Sequence, residues 1–174
     1  MLDKRNLYTG ELKGSLLGDF WLACSDQGLV AIEWGKTSGE FETYLAKRFK
    51  QPVIYDPEKV ERVAIELKEY LEGKRHLFTI VIDWMVLRPF QRAVLQATCQ
   101  IPYGETRTYK EISEQIHRHH AARAVGRAEA TNPMPLVIPC HRVIGSDGKL
   151  HGYGLGEGLK TKEWLLKHEG ALIA

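Results

Sequence analysis

Cys140 and His141 stand side by side in PMPLVIPCHRVIG, residues 133–145. A thiol next to an imidazole can do nucleophilic chemistry: thiolate is the best nucleophile a side chain offers, and imidazole can take its proton near neutral pH. Two readings of Cys140 are open on these residues alone. Free cysteines are commonly buried and inert, and three prolines around an apolar run suit a packed segment. The alternative is a nucleophile that the chain is built to present. In extended backbone adjacent side chains point to opposite faces. The pair can therefore cooperate only if the chain bends after Pro139 or a water links the two groups.

The other cysteines, Cys24 and Cys99, fall within a strand pattern and a helix pattern and read as packing residues. Three widely spaced cysteines with no CxxC or CxxH pair form neither a disulfide framework nor a zinc signature, and fit a reducing compartment. The Gly-rich stretch HGYGLGEGLKT, residues 151–161, fails as a phosphate-binding loop. Leu159 separates Gly158 from Lys160, and the glycines run G-x-G-x-G-x-G. It reads as a mobile or close-approach loop, in which Tyr153 either stacks over a flat ligand or is a plain loop tyrosine.

These residues need elements to position them. LGDFWLACSDQGLVAIEW reads as a hairpin turning at Asp26-Gln27-Gly28, followed by a short helix opening at a Ser38 N-cap. Residues 57–72 carry an apolar stripe at Val60, Val63, Ala64, Leu67 and Leu71, with Pro57 at the first helical position and Gly73 at the C-terminal end. HLFTIVIDWMV is a strand or an extended connection. A helix starts near Pro89 with Phe90, Ala93, Val94, Ala97 and Ile101 on one face. In TYKEISEQI, Thr108 and Glu111 form a capping box. The basic, small-residue helix AARAVGRAEATN follows HRHH, and LKTKEWLLKH is the last helix. The two short helices are either a helix-turn-helix or an ordinary helical hairpin. Five basic residues, Arg107, Lys110, Arg118, Arg123 and Arg127, against Glu111 and Glu114 favour DNA. The small-residue surface suits shape-driven contact better than base reading.

Composition sets outer bounds. With 174 residues, 44% hydrophobic and 26% charged, the chain fits one medium domain or two small ones. No apolar run approaches the roughly 20 residues of a membrane span. The N-terminal sequence lacks the apolar core of a signal peptide, so a cytoplasmic protein with no membrane partner is expected. The net charge of +2 is uneven. Residues 1–86 hold 12 Lys and Arg against 14 Asp and Glu; residues 87–174 hold 12 against 8, with seven arginines and six of the seven histidines. The second half is the side suited to a polyanion.

PCHRVI after NPMPLVI, with RTYKEI and AARAVG upstream and KEWLLKHEG downstream, closely resembles the O6-alkylguanine-DNA alkyltransferases, also called methylated-DNA–protein-cysteine methyltransferases. The match runs unbroken over about residues 87–170, and PCHRV is that family's active-site signature. The first half matches only in its strand-then-helix order. The resemblance implies irreversible, single-turnover transfer of an alkyl group from O6-alkylguanine in double-stranded DNA, and from O4-alkylthymine, to Cys140. By the same resemblance His141 deprotonates Cys140 through a water and Glu169 orients His141. Asn132 joins the recognition helix to the active-site segment. Arg123 enters the duplex as the base flips, and Tyr109 helps rotate the nucleotide. Ala122, Gly126 and Arg127 would line the DNA-facing helix, and Tyr153, Gly154, Val143 and Pro135 the base pocket. No cofactor and no metal are expected: relatives with an N-terminal zinc use Cys and His ligands, and here that half has only Cys24 and His76. A monomer is expected.

The chemistry agrees with the implied roles. A free thiol with pKa near ~8.5 is only slightly ionised at neutral pH, so a base must assist. A Cys–His–Glu relay supplies one. The departing guanine needs a proton or hydrogen bond, for which Tyr109 is the candidate donor. Gly154 stands where other members have serine, and Arg127 and Glu129 stand at positions that are often small or apolar. The expected architecture is α/β: a small N-terminal antiparallel sheet with helices (1–86), packed on a mainly helical domain (87–174) with the helix-turn-helix. A protein that binds alkylguanine without accepting the alkyl group is the alternative, although such relatives lack the cysteine. A cysteine hydrolase or redox enzyme is a second rival.

Overall fold

The computed structural model of the chain describes residues 6–171. It divides into two compact units, Met1–Val86 and Leu87–Ala174, each with its own core.

The first unit is built on a four-stranded sheet in the order β3-β2-β1-β4, from β1 (Leu7–Ser15), β2 (Gly18–Ser25), β3 (Gly28–Trp34) and β4 (Val53–Tyr55). The β1–β2 and β2–β3 pairs are antiparallel, but β4 adds to β1 in parallel, so the sheet is mixed at one edge. The turn at 26–27 falls between β2 and β3. Gly10 in β1 is required by close approach: a Cβ there would lie 2.4 Å from Val60 Cγ2 and 2.9 Å from Pro57 Cα. Helix α1 spans Ser38–Phe49, but Thr37, not Ser38, is its N-cap, closing a capping box with Glu40. The stripe at 57–72 begins as a 3-10 turn over Pro57–Val60 and becomes α-helical only in α2, Glu61–Leu71. Val60, Val63, Leu67 and Leu71 are buried there, while Ala64 is partly covered. Residues 76–83 form an extended connection that touches the sheet through a bridge from Leu29 to Ile82.

The second unit carries α3 (Pro89–Cys99), α4 (Tyr109–Gln115), α5 (Ala122–Ala130) and α6 (Leu159–His168). Val94, Ala97 and Ile101 meet Ile112, Val125, Ala128 and Val143 in one cluster, which holds α4 and α5 as a helix-turn-helix on α3. Phe90 and Ala93 lie outside that cluster, with Phe90 exposed. Ser113 makes the turn: its hydroxyl donates to the Arg118 carbonyl and accepts from Ala121 N at 3.1 Å. His117 and His120 take left-handed conformations there. Thr108 caps α4 with Glu111 in both directions of the box. Just ahead of it, the two-residue strand β5 (Arg107–Thr108) pairs in parallel with β6 (Val143–Ile144), tying the helix-turn-helix to the segment after Cys140.

Removing the α4 cap by Thr108→Ala is expected to cost about 1 kcal/mol of unfolding free energy, read by urea denaturation.

Candidate active site

The approach to Cys140 is set by a side chain acting as backbone. Asn132 Nδ2 donates to the Ile138 carbonyl at 3.0 Å, and its Oδ1 accepts from Met134 N at 2.9 Å. Ile138 N closes on the Met134 carbonyl at 2.9 Å, with Leu136 in a left-handed conformation at φ 71°. Pro139 then leads into a 3-10 turn over Cys140–Arg142. Of the two ways the adjacent cysteine and histidine could cooperate, the bend after Pro139 is therefore present. Residues 133–145 are all buried, with Cys140 7% exposed and His141 0%.

A buried carboxylate organises the turn. Glu169 follows the last turn of α6 and has no exposed side-chain surface. His141 Nε2 lies 2.7 Å from its Oε1. Arg142 grips the same carboxylate in bidentate fashion, Nε to Oε2 at 2.8 Å and Nη2 to Oε1 at 3.0 Å, while Nη1 donates to the Ile101 carbonyl at 2.6 Å. Gly104 N adds a fourth donor at 3.2 Å. Gly104 must be glycine: its φ is +80°, and a Cβ would sit 2.9 Å from the Glu169 carbonyl oxygen. Burial pushes the Glu169 carboxyl up, but the hydrogen bonds of His141 and Arg142 and the Arg142 charge outweigh it and hold the group far below the usual carboxylate range. Burial conversely lowers His141, against the pull of Glu169, so the imidazole is neutral at pH 7. An ionised carboxylate can only accept, so Nε2 carries the proton and Nδ1, itself buried, carries the lone pair.

The thiol is surrounded by groups that pull on it in opposite directions. Burial, then the nearby Glu129, pushes Cys140 up to about 12, while a hydrogen bond from Asn132 and the charge of Lys162 favour the thiolate. Cys24 and Cys99 are also pushed up to about 12 by burial. Among the three, Cys140 is set apart by the Asn132 hydrogen bond rather than by its acidity. Lys162, on α6, is fully buried; its ammonium donates to the carbonyls of Val143 at 2.6 Å and His151 at 3.0 Å and lies over the Tyr109 ring. Tyr109 OH donates to the His151 carbonyl at 3.2 Å, and burial pushes that phenol up to about 12. The Tyr153 ring is half-buried, but its hydroxyl is fully buried, has no protein partner, and is within electrostatic reach of Cys140 and Glu169.

The remaining sequence candidates fall into two groups. Val143 and Pro135 are buried; Gly154 is exposed, with the Ala130 carbonyl 3.8 Å from where its Cβ would be. On α5, Arg123 and Arg127 are exposed one turn apart, Ala122 is half-covered, and Gly126 faces the Tyr109 ring. Among the described residues Arg118, Arg123 and Arg127 have no ion pair, whereas Lys110 approaches Glu114 at 3.8 Å and Arg107 approaches Glu105 at 2.9 Å. Glu129 does not pair with Arg127. It is buried on the opposite face, bonded to the Thr98 hydroxyl.

Arg142, Lys162, Glu129 and Thr98 were not among the sequence candidates. Helical spacing marks two of them. Lys162 shares a stripe with Leu165, Leu166 and Glu169, and Glu129 follows Val125 and Ala128 at the inward i+4 and i+1 positions. Arg142 is a cation in an otherwise apolar run, which demands a buried partner.

Comparisons with known proteins bear on the family and the fold. Residues 89–171 match the family described as 6-O-methylguanine DNA methyltransferase, DNA binding domain, and residues 8–84 its ribonuclease-like domain. The inducible methylated-DNA–protein-cysteine methyltransferase of Bacillus subtilis is 41% identical over 145 residues, covering 82% of this chain and 80% of that one. Its counterpart in Methanosarcina barkeri is 42% identical over 161 residues, covering 89% and 92%. Among solved structures, Mycobacterium tuberculosis OGT in complex with DNA superposes with a TM-score of 0.76 at 35% identity, covering 95% of this chain and 92% of that one.

Breaking the Glu169 cluster from one side, by Arg142→Leu, is expected to destabilise the fold by about 3–5 kcal/mol in urea denaturation. Glu169 also sets a pH dependence. Its folded carboxyl is held below the unfolded value of about 4.3, so its stabilisation is present above that pH and lost as pH falls. Acid unfolding of Glu169→Gln, followed by circular dichroism, is expected to show a shallower loss of stability below pH 4 than the unaltered chain.

Proposed function

The chain belongs to the 6-O-methylguanine DNA methyltransferase family, and we propose that it repairs DNA by moving the alkyl group of O6-alkylguanine onto Cys140 in a single turnover. The observation that carries this reading is the buried His141–Glu169 bond of 2.7 Å, on the residue next to the one cysteine of the three with a side-chain hydrogen bond. That bond leaves Nδ1 as the basic nitrogen of the ring.

In the proposed reaction Cys140 gives its proton to His141 Nδ1 through a water. The thiolate attacks the alkyl carbon, a C–S bond forms, and the C–O6 bond breaks with its electron pair on guanine. The departing oxygen takes a hydrogen bond or proton. Tyr109 was the expected donor, but its hydroxyl is already given to His151, whereas that of Tyr153 is buried beside the thiol with no protein partner. Tyr153 is thus the better-placed donor, and Tyr109 acts on the backbone of the flipped nucleotide. A thioether does not hydrolyse, so Cys140 is not regenerated. By the family resemblance the proposed reaction extends to O4-alkylthymine.

O6 is inside a duplex, and Cys140 is buried, so neither can reach the other without extrusion of the base. The exposed, unpaired Arg123 and Arg127 on α5 suit a helix laid against DNA, with Arg123 filling the vacated place. Ala122 and Gly126 leave that face low enough for close approach.

Incubation with duplex DNA carrying O6-methylguanine is expected to add one methyl mass per chain, on the Cys140 peptide, with none in Cys140→Ala. Binding without added mass would favour the alkylguanine-sensing alternative, and turnover beyond one equivalent a true catalyst. Arg123→Ala is expected to slow repair of the duplex by about tenfold or more while leaving reaction with free O6-methylguanine base much less affected, since flipping costs a few kcal/mol only in the duplex.

A further inference from the structure

Glu129 has no part in the chemistry above, yet it is buried within electrostatic reach of the same thiol. It is 6% exposed, on the inward face of α5. Its Oε1 accepts from the Thr98 hydroxyl of α3, and its Oε2 is buried with no hydrogen-bond partner. Among the described residues, the titratable groups within electrostatic reach of it belong to the active site or its walls: Cys99 on α3, Tyr109 on α4, Cys140 on the 3-10 turn and Lys162 on α6. Lys162 is the one cation among them, and it is spent on the Val143 and His151 carbonyls rather than paired with this carboxylate. A carboxylate so placed has one hydroxyl and one unpaired cation to offset its desolvation, and burial pushes the Glu129 carboxyl up to about 7.

We infer that Glu129 is a positioning residue that governs thiolate formation: alkyl transfer runs with Glu129 as the neutral acid, and its ionised form holds Cys140 protonated. The inference rests on Cys140 being the alkyl acceptor. As Cys140 loses its proton to His141, negative charge appears on sulfur in a buried site. With Glu129 neutral, the Lys162 ammonium favours that change without an opposing carboxylate. With Glu129 ionised, a second negative charge opposes it where the dielectric is low. The sign follows from the two titrations. Below pH 7 Glu129 is neutral and the thiol is unopposed. As pH rises through about 7 the carboxylate forms and the thiol becomes harder to ionise. The growth of reactivity with pH that a lone thiol would show is therefore flattened above neutrality.

Glutamine at 129 keeps an acceptor for Thr98 and has the shape of the neutral acid, but cannot ionise. The test compares the unaltered chain with Glu129→Gln from pH 6 to 9 by two readouts: the rate constant for methyl transfer from O6-methylguanine duplex, and the rate of iodoacetamide alkylation at the Cys140 peptide. In both, the pH 9 to pH 6 rate ratio is expected to be about three- to tenfold larger in the variant, as a drop of half to one unit in the thiol pKa gives. Glu129→Met, neutral but unable to bond Thr98, is expected to shift the ratio the same way, and Glu129→Asp to return it toward that of the unaltered chain. Parallel profiles in both readouts, or a smaller ratio in Glu129→Gln, overturn the inference. The alkylation profile reads the Glu129–Cys140 coupling whether or not methyl is transferred. Failure of the unaltered chain to be methylated at Cys140 instead removes the alkyl-transfer reading.

Discussion

A carboxylate with no exposed surface survives in a fold only if donors replace the water it has lost. Glu169 has four: the imidazole of His141, two guanidinium nitrogens of Arg142 and the amide of Gly104. The donors come from two parts of the chain, the loop after α3 and the turn after Pro139, and the carboxylate from a third, the end of α6. The carboxylate is therefore the point where they are joined, and the orientation of the base follows from it. Because the carboxylate accepts and cannot donate, the imidazole tautomer is decided without any contact to the cysteine. The His141 bond and Arg142 together hold the carboxylate ionised, so His141 has a fixed acceptor at Nε2 while remaining neutral. An imidazolium could not take a proton from the thiol.

The second constraint is that the nucleophile is buried. A thiol pushed up to about 12 is protonated at neutral pH and slow toward solution electrophiles. Reactivity then depends on groups that act only within the site: Asn132 on the sulfur, Lys162 nearby, and a base on the adjacent residue. Asn132 has two tasks, since the same amide that touches sulfur closes the 132–138 loop on the Ile138 carbonyl. Local backbone order and thiol acidity thus share one side chain. Lys162 has a comparable double role, anchoring the Val143 and His151 carbonyls while placing a positive charge near the thiol.

The sequence made some of this legible and hid the rest for identifiable reasons. Capping chemistry located α4 at Thr108 to the residue, and turn chemistry located the β2–β3 hairpin. Capping misplaced α1 by one position, because Thr37 and Ser38 are both competent caps and only Thr37 has a glutamate three residues on. The β4 pairing was invisible: three residues, VIY, join β1 in parallel across about 45 residues of chain, which no local pattern encodes. At the site, the PCHRV resemblance named Cys140, His141 and Glu169, but not the guanidinium that keeps Glu169 ionised. For Glu129 the sequence left open whether it meets DNA or pairs with Arg127, and neither is what the fold does with it. Helical spacing puts Arg127 with Arg123 on the outer face and Glu129 with Val125 on the inner. Burial, not sequence adjacency, decides what a charge on a helix meets.

The central claim is that Glu169 fixes His141 as a neutral base with its lone pair on Nδ1. Nitrogen-15 NMR of histidine-labelled protein at pH 7 tests it directly, with His141 assigned by comparison with His141→Gln. The account predicts a pyrrole-like, protonated Nε2 and a pyridine-like, unprotonated Nδ1. A protonated Nδ1, whether in the other tautomer or in an imidazolium, would contradict it.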